Sequence, residues 1–249
     1  MTINVNGKII RVESSFDKVY DRLKQFDVKD VNTKNRLLIN EESIIINIDE
    51  INIEINAHVN PTDIYPIINN VIAYCVNNKN NLYIHSVVIS KNKRGIMILG
   101  DFNSGKSTLA RVAKKYGYEI NSADQTWIYN DELVLGSRLN VIDNDITYID
   151  DYLTNAVVKI EKIIILKGIC TNGKCSVTKI DNDNYYIKNI FKYSNWHYDM
   201  PLLTKYIKLI DTGEEILEFL RHVKIPTFVV RGDENRIMEV IDDRKEGIE

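Results

Sequence analysis

Over residues 1–59 the apolar positions come in short β-branched runs, IIRV, RLLI, SIIINI and INIEIN, separated by clusters of Asn, Glu, Asp and Lys. Such runs suit half-buried strands, because branched side chains pack well on a pleated surface. With one short helical candidate at 16–26, they predict an antiparallel, β-rich N-terminal layer. The period then changes. Ile64, Ile67, Ile68, Val71, Ile72, Cys75 and Val76 recur at i, i+3, i+4 and i+7, predicting a helix over 62–77 with Pro66 in its first turn, packed on a central sheet. Residues 60–249 read as the core, continuous with the layer 1–59 in one structural domain.

Residues 82–89 (LYIHSVVI) predict a strand, and 91–95 a polar turn leading into another. Ile96 to Leu99 form an unbroken apolar run, as a buried strand does. That run ends in Gly100-Asp101-Phe102-Asn103-Ser104-Gly105-Lys106-Ser107, which matches G-x-x-x-x-G-K-S/T at each fixed position. Leu109, Val112, Ala113 and Tyr116 follow at helical spacing, so strand, loop and helix occur in the order that phosphate binding requires. A polyphosphate needs several donors converging on one small concave site, and the amides of a tightly curled loop supply them. Gly100 and Gly105 permit the curl, Lys106 brings a cation to the terminal phosphates, and Ser107 offers a hydroxyl to Mg²⁺. Asp101, Phe102, Asn103, Ser104 and Thr108 complete the nucleotide-binding stretch, beneath the positive end of the helix.

Beyond that helix, residues 118–121 lead into Ser122-Ala123-Asp124. Asp124 lies eighteen residues after Lys106, at a strand end, where a parallel α/β sheet presents side chains to its ligand crevice. A carboxylate there can hold Mg²⁺ or accept a proton from an attacking hydroxyl; the plainer alternative is a solvated loop aspartate. TWIYNDELVLG predicts a hairpin turning at Asn130-Asp131. Among the later strands VVKIEKIIILKG is the most apolar and CSVTKI its expected partner. Cys170 and Cys175 would then face each other across a turn at Asn172-Gly173 as free thiols. Residues 185–223 read as helical, with a capping box at Thr212-x-x-Glu215. Tyr185, Tyr186, Tyr193, Trp196, His197 and Tyr198 gather there, either lining an acceptor pocket or packing into the core. A strand at 226–230 and a helix at 234–241 close the chain.

Composition narrows the partners. Of 249 residues, 44% are hydrophobic and 27% charged, which suits a folded α/β core. A net charge of −3 with no long Lys/Arg cluster argues against a general nucleic-acid binder, whose affinity depends on neutralising phosphates. The N-terminus lacks a secretory pattern and no apolar run reaches bilayer-spanning length, so no membrane association is expected and the expected location is cytoplasmic. A homo-oligomer is left open. The L-S-G-G-Q segment of transport ATPases and the N-K-x-D segment of guanine readers are both missing from the sequence.

His85 stands fifteen residues before Gly100, and Asp124 follows Ala123 after the loop helix. The constellation IHSVVISKNKRGIMILGDFNSGKSTLA followed by SAD resembles the HPr kinase/phosphorylase family and its shorter kinase relatives, from about Thr62 to Asp124. The resemblance implies an α/β fold with a P-loop core of the HPr kinase/phosphoenolpyruvate carboxykinase type, a mixed sheet, the N-terminal β-rich layer and C-terminal helices. It implies ATP and Mg²⁺ as cofactors, with Lys106 and the loop amides on the β- and γ-phosphates and Ser107 and Asp124 at the metal. Asp124 would be the base that takes a proton from a serine hydroxyl. His85 would tune that base, the alternative being a strand histidine satisfied by a core hydrogen bond. Two departures bear on the substrate. Gln125 stands where the bacterial HPr enzymes carry a second aspartate, and the E-I-R-G-L-G signature is missing, so HPr and its dephosphorylation are not expected. Arg138 or Arg231 would supply transition-state charge or simply lie on the surface. The expectation is a kinase acting on a hydroxyl of a peptide, a protein or a small metabolite; a hydrolytic ATPase and a nucleotide-responsive binding protein are the alternatives.

Overall fold

The computed structural model describes residues 1–29, 31–101, 103–136, 139–142, 145–148, 158–170, 175–180, 183–194 and 213–242. Their contacts divide into two compact units, the first being Met1–Asn77 together with Gly213 and Glu214. It carries β1 (Thr2–Val5), β2 (Lys8–Ser14), α1 (Asp17–Leu23), β3 (Asp27–Val28), β4 (Arg36–Ile39), β5 (Ser43–Ile48), β6 (Ile51–Asn56) and α2 (Ile64–Val76). The sheet order is β3-β1-β2-β4-β5-β6. Asn6 and Gly7 join β1 to β2 with φ of 53° and 84°, the left-handed pair that a two-residue hairpin needs. Every neighbouring pair but one is antiparallel; β2 and β4 run parallel because α1 intervenes and returns the chain to the same end of the sheet. Alternation does its expected work, with Ile44, Ile46 and Ile48 of β5 buried and the residues between them half-exposed. Helix α2 forms where the periodicity indicated. Within this unit it packs on α1 and β1.

The second unit begins at Asn78. It is built from β7 (Asn81–His85), β8 (Val87–Lys91), β9 (Arg94–Gly100), α3 (Lys106–Lys115), β10 (Glu119–Ser122), β11 (Gln125–Tyr129), β12 (Glu132–Gly136), β13 (Leu139–Ile142), β14 (Asp145–Tyr148), β15 (Lys159–Ile169), β16 (Cys175–Lys179), α4 (Asp183–Ser194), α5 (Gly213–His222), β17 (Thr227–Gly232) and α6 (Glu234–Asp242). Its sheet is mixed: β9 and β17 run parallel to β15, while β8 is antiparallel to β9. Helices cover both faces, which is why β9 and β15 read as unbroken apolar runs. Met97 and Leu99 pack with Ile190 and Tyr193 of α4 and Ile216 and Phe219 of α5. On the other face, Ile96 and Ile98 pack with Leu109 and Ala113 of α3 and Ile237 and Met238 of α6.

Two expectations change here. Strand β16 pairs with β17, and β17 lies between it and β15, so the two cysteines are not hairpin partners. Cys175 is level with Gly232 on one side, and the Cys170 amide donates to the Gly232 carbonyl at 2.9 Å on the other. Parallel addition of β17 beside β15 supplies the hydrogen bonds that a hairpin would have supplied. The aromatic group is also divided: Tyr193 is 2% exposed and belongs to the core, while Trp196, His197, Tyr198, Arg138, Asn172, Gly173 and Thr212 lie outside the described residues, as do the side chains of Tyr185 and Tyr186. Among the described residues, no helix is long and apolar enough to cross a membrane.

Candidate functional site

Strand β9 ends at Gly100 and α3 begins at Lys106, so the glycine-rich segment is a short loop between a central strand and a helix N-terminus. Its glycines are required by space. A Cβ on Gly100 would lie 2.4 Å from Ser104 Oγ and 2.8 Å from the Leu166 carbonyl. Gly105 caps α3 in the left-handed region at φ 96°, and a Cβ there would lie 2.5 Å from Ile169 Cδ1. Asn103 is also left-handed, at φ 59°, a conformation asparagine tolerates. The Ser104 amide donates to the Asp101 carbonyl at 3.1 Å and closes the turn. Phe102 lies outside the described residues.

Lys106 is 8% exposed, which is exceptional for a lysine and has a local cause. Its Nζ folds back over the loop and donates to the carbonyls of Gly100 at 2.9 Å and Asp101 at 3.2 Å. Burial pushes its pKa down to about 8, against the opposing pull of Asp101. Ser107 and Thr108 are half-buried in the first turn, Asp101 and Asn103 are exposed, and the Ser104 hydroxyl oxygen is buried without a hydrogen-bond partner. The first amides of any helix have no intrahelical partner, so the start of α3 adds donors to this concavity.

His85 and Asp124 come together by a different route. Residues 81–91 (β7 and β8) pair antiparallel with 119–129 (β11 and β10) on both sides of an interruption, as Gln125↔His85 on one side and Ser122↔Val88 on the other. The two segments are therefore one ribbon bent at its middle, where the Ser86 amide donates to the Asp124 carbonyl at 2.8 Å. A register shift between Ile120 and Ser122 makes Asn121 an extra residue, and such a bulge sharpens the bend. At the bend His85 Nδ1 lies 3.2 Å from Asp124 Oδ1, with side chains 12% and 13% exposed. Gln125, 4% exposed, brings its Nε2 to 3.4 Å from the same Nδ1. Of the two neighbours the carboxylate is the charged acceptor and the closer, which favours the tautomer in which Nδ1–H donates to Asp124.

Behind the pair, three fully buried hydroxyls form a relay. Ser86 donates to Thr126 Oγ1 at 2.6 Å, Thr126 to Ser122 Oγ at 2.9 Å, and Ser122 to the Gln125 carbonyl at 2.7 Å. These residues carry no sequence motif; only the paired register identifies them. Gly136 of β12 closes the back of the bend so tightly that a Cβ would lie 2.0 Å from the Asn121 carbonyl oxygen.

Register places the loop and the bend at one edge of the sheet. Val87 is opposite Ile98, so Ser86 is level with Leu99, and Asp124 beyond it lies about two strand spacings, roughly 10 Å, from the end of β9. Arg231 is exposed on β17. Among the described residues no group of three or more His, Cys, Asp and Glu could hold a metal ion by itself.

No protein-family model matches the sequence, and no curated protein matches it. Among solved structures, the HPr(Ser) kinase/phosphatase from Coxiella burnetii aligns over 66% of this chain and 90% of that one, at a TM-score of 0.32 and 9% identity. These values mark a distant structural neighbour.

Proposed function

We propose that this protein is an ATP- and Mg²⁺-dependent kinase that transfers the γ-phosphoryl group to a hydroxyl, on a serine of a peptide or protein or on a small metabolite. One observation carries the reading: the buried Lys106 and its glycine loop share a sheet edge with the His85–Asp124 pair. A polyphosphate suits the loop, whose glycines leave no room for side chains and whose buried Ser104 hydroxyl lacks a partner. Ser107 and Asp124 would hold Mg²⁺, which neutralises charge on the β- and γ-phosphates; few protein ligands are needed because phosphate oxygens supply the others.

In the step itself the acceptor oxygen attacks the γ-phosphorus in line, its bond to the β,γ-bridging oxygen breaks, and ADP leaves. Asp124 orients the hydroxyl and takes its proton. His85 donates from Nδ1 to the carboxylate and fixes the direction in which the free oxygen faces. Lys106 exchanges two loop carbonyls for phosphate oxygens, a stronger acceptor for an ammonium. Positioning and charge neutralisation do most of the catalytic work in phosphoryl transfer, and these groups supply both.

Mass spectrometry of the protein with Mg-ATP and a mixed pool of hydroxyl-bearing peptides and metabolites tests this, with Asp124→Asn and Lys106→Ala alongside. A gain of one phosphoryl mass on an acceptor, lost in both variants, supports the kinase. ADP formed with no acceptor modified identifies a hydrolytic ATPase, and ATP bound but unconsumed identifies a nucleotide-responsive binding protein.

A further inference from the structure

The loop holds a second cation that its motif does not contain. Lys192 lies near the end of α4, far along the chain from the loop, yet its Nζ is 2.5 Å from Asp101 Oδ1. Asp101 thereby holds two ammonium groups, Lys106 through its backbone carbonyl and Lys192 through its carboxylate. The placement is built into the fold: α4 packs on β7 and β9, with Ile190 and Tyr193 sunk among Leu82, Ile84 and Leu99. Burial of Tyr193 sets the rotation of the helix, and the next residue back is carried to the mouth of the loop.

The pair itself is readily exchanged. Both side chains are 56% exposed, and exposed ion pairs contribute little net stability. A polyphosphate entering the loop would meet the Asp101 carboxylate as a like charge, while offering Lys192 an acceptor with more charge than one carboxylate.

We propose that Lys192 is a second phosphate-binding cation, held by the Asp101 carboxylate until a nucleoside triphosphate binds and then transferred to its terminal phosphoryl group. This inference rests on the nucleotide-binding reading above. It supplies, from a helix and not from an arginine motif, the extra positive charge that a transferring phosphoryl group requires.

Calorimetric titration with the magnesium complexes of β,γ-imido-ATP and of ADP tests it on the unaltered chain and on Lys192→Ala, Lys188→Ala, Asp101→Asn, the Asp101→Asn/Lys192→Ala double variant and Lys106→Ala. Lys188, one turn earlier on the same helix, controls for the helix. Loss of one charge-assisted contact to the terminal phosphate should weaken the triphosphate analogue about tenfold in Lys192→Ala, leave ADP within about twofold, and leave Lys188→Ala unchanged. Asp101→Asn removes a like charge and should tighten the analogue, and adding Lys192→Ala to it should still weaken the analogue about tenfold.

An unchanged analogue affinity in Lys192→Ala, with binding abolished in Lys106→Ala, overturns the role of Lys192 and leaves the nucleotide reading standing. Equal weakening of both nucleotides does the same. Equal affinity of Asp101→Asn and the double variant would show that Lys192 only neutralises Asp101 and overturn the proposal. If the unaltered chain binds neither nucleotide, both readings fall.

Discussion

The loop and the bend sit at one edge of the same sheet and are made in opposite ways. The loop is local: five residues join β9 to α3, and its two glycines are set by what a side chain there would strike, Ser104 and Leu166 in one case and Ile169 in the other. The bend is non-local, since residues 85–86 and 124–126 meet only after α3 and three strands have folded between them. Its shape depends on a one-residue bulge, a hydroxyl relay and the bare backbone of Gly136. In the proposed kinase, a site assembled in this way could lose phosphate binding without losing its base, or its base without losing phosphate binding.

The sharpest separation comes from Asp124→Asn. The amide keeps the size of the carboxylate, so affinity for nucleotide measured without Mg²⁺ should hold, while phosphoryl transfer should fall by about 10²–10⁴-fold with the base removed. Single-turnover transfer measured at saturating Mg-ATP checks this, and an undiminished rate would remove Asp124 from the chemistry.

Next in size is Gly136→Ala. The methyl group would meet the Asn121 backbone at 2.0 Å, and backbone cannot swing aside as a flexible side chain does. Forced overpacking of this kind should destabilise by about 3 kcal/mol, read as a lower urea midpoint. If the variant keeps the midpoint of the unaltered chain, β12 does not brace the bend. Ala at Gly117, where the nearest atom to a Cβ is a lysine side-chain carbon at 3.8 Å, serves as the contrast, with strain from φ 80° but no collision.

The two regions also differ in how far the sequence discloses them. G-x-x-x-x-G-K-S names the loop directly because the chemistry and the chain order coincide, and flanking apolar spacing supplies its strand and helix. The family likeness puts His85 beside the Asp124 carboxylate, whereas the residues by themselves carry no sign of the register that brings the two together. Ser86, Ser122 and Thr126 read as ordinary strand residues, since a buried hydroxyl relay requires a register, and register between segments forty residues apart is a tertiary property. The same gap accounts for the cysteines. CSVTKI followed VVKIEKIIILKG closely enough to suggest a hairpin, whereas the intervening partner, β17, lies some fifty residues later in the chain. Helix α2 was legible as a helix from its period, but period alone does not say which sheet it covers. Lys192 gave no signal, because a lysine one residue from a buried tyrosine looks like any solvated helix position.

Thr126→Val tests the relay with a smaller effect. Valine fills the same volume but neither accepts from Ser86 nor donates to Ser122, leaving two buried hydroxyls each short of a partner. Stability should fall by about 1–3 kcal/mol, with nucleotide affinity unchanged because the loop is untouched. Thr126→Ser, which keeps the hydroxyl, should recover most of the loss in urea unfolding. A loss in Thr126→Ser with none in Thr126→Val would mean that packing of the methyl group, not the relay, holds the bend.

The smallest effect is a proton. Lys106 has a pKa of about 8 in the folded chain against 10.5 for an ordinary lysine, because burial disfavours its charge. The unfolded chain therefore binds more protons between these values, and the Lys106 contribution to stability rises with pH from about 8 to 10.5; below 8 the cost of a buried ammonium is fully present. Phosphate arriving at Nζ favours the charged form and raises the pKa again. At pH 8 about half of the free chains carry Lys106 neutral, so binding of Mg-ADP should take up on the order of half a proton, and affinity should fall about twofold between pH 7 and pH 8. Titration calorimetry at pH 8 in two buffers of different ionisation enthalpy measures that uptake. Lys106→Arg, whose guanidinium stays charged throughout, should show none wherever it still binds. An uptake of zero in the unaltered chain would mean that the ammonium is already fully charged in the empty loop, and the carbonyls of Gly100 and Asp101 would then offset its burial completely.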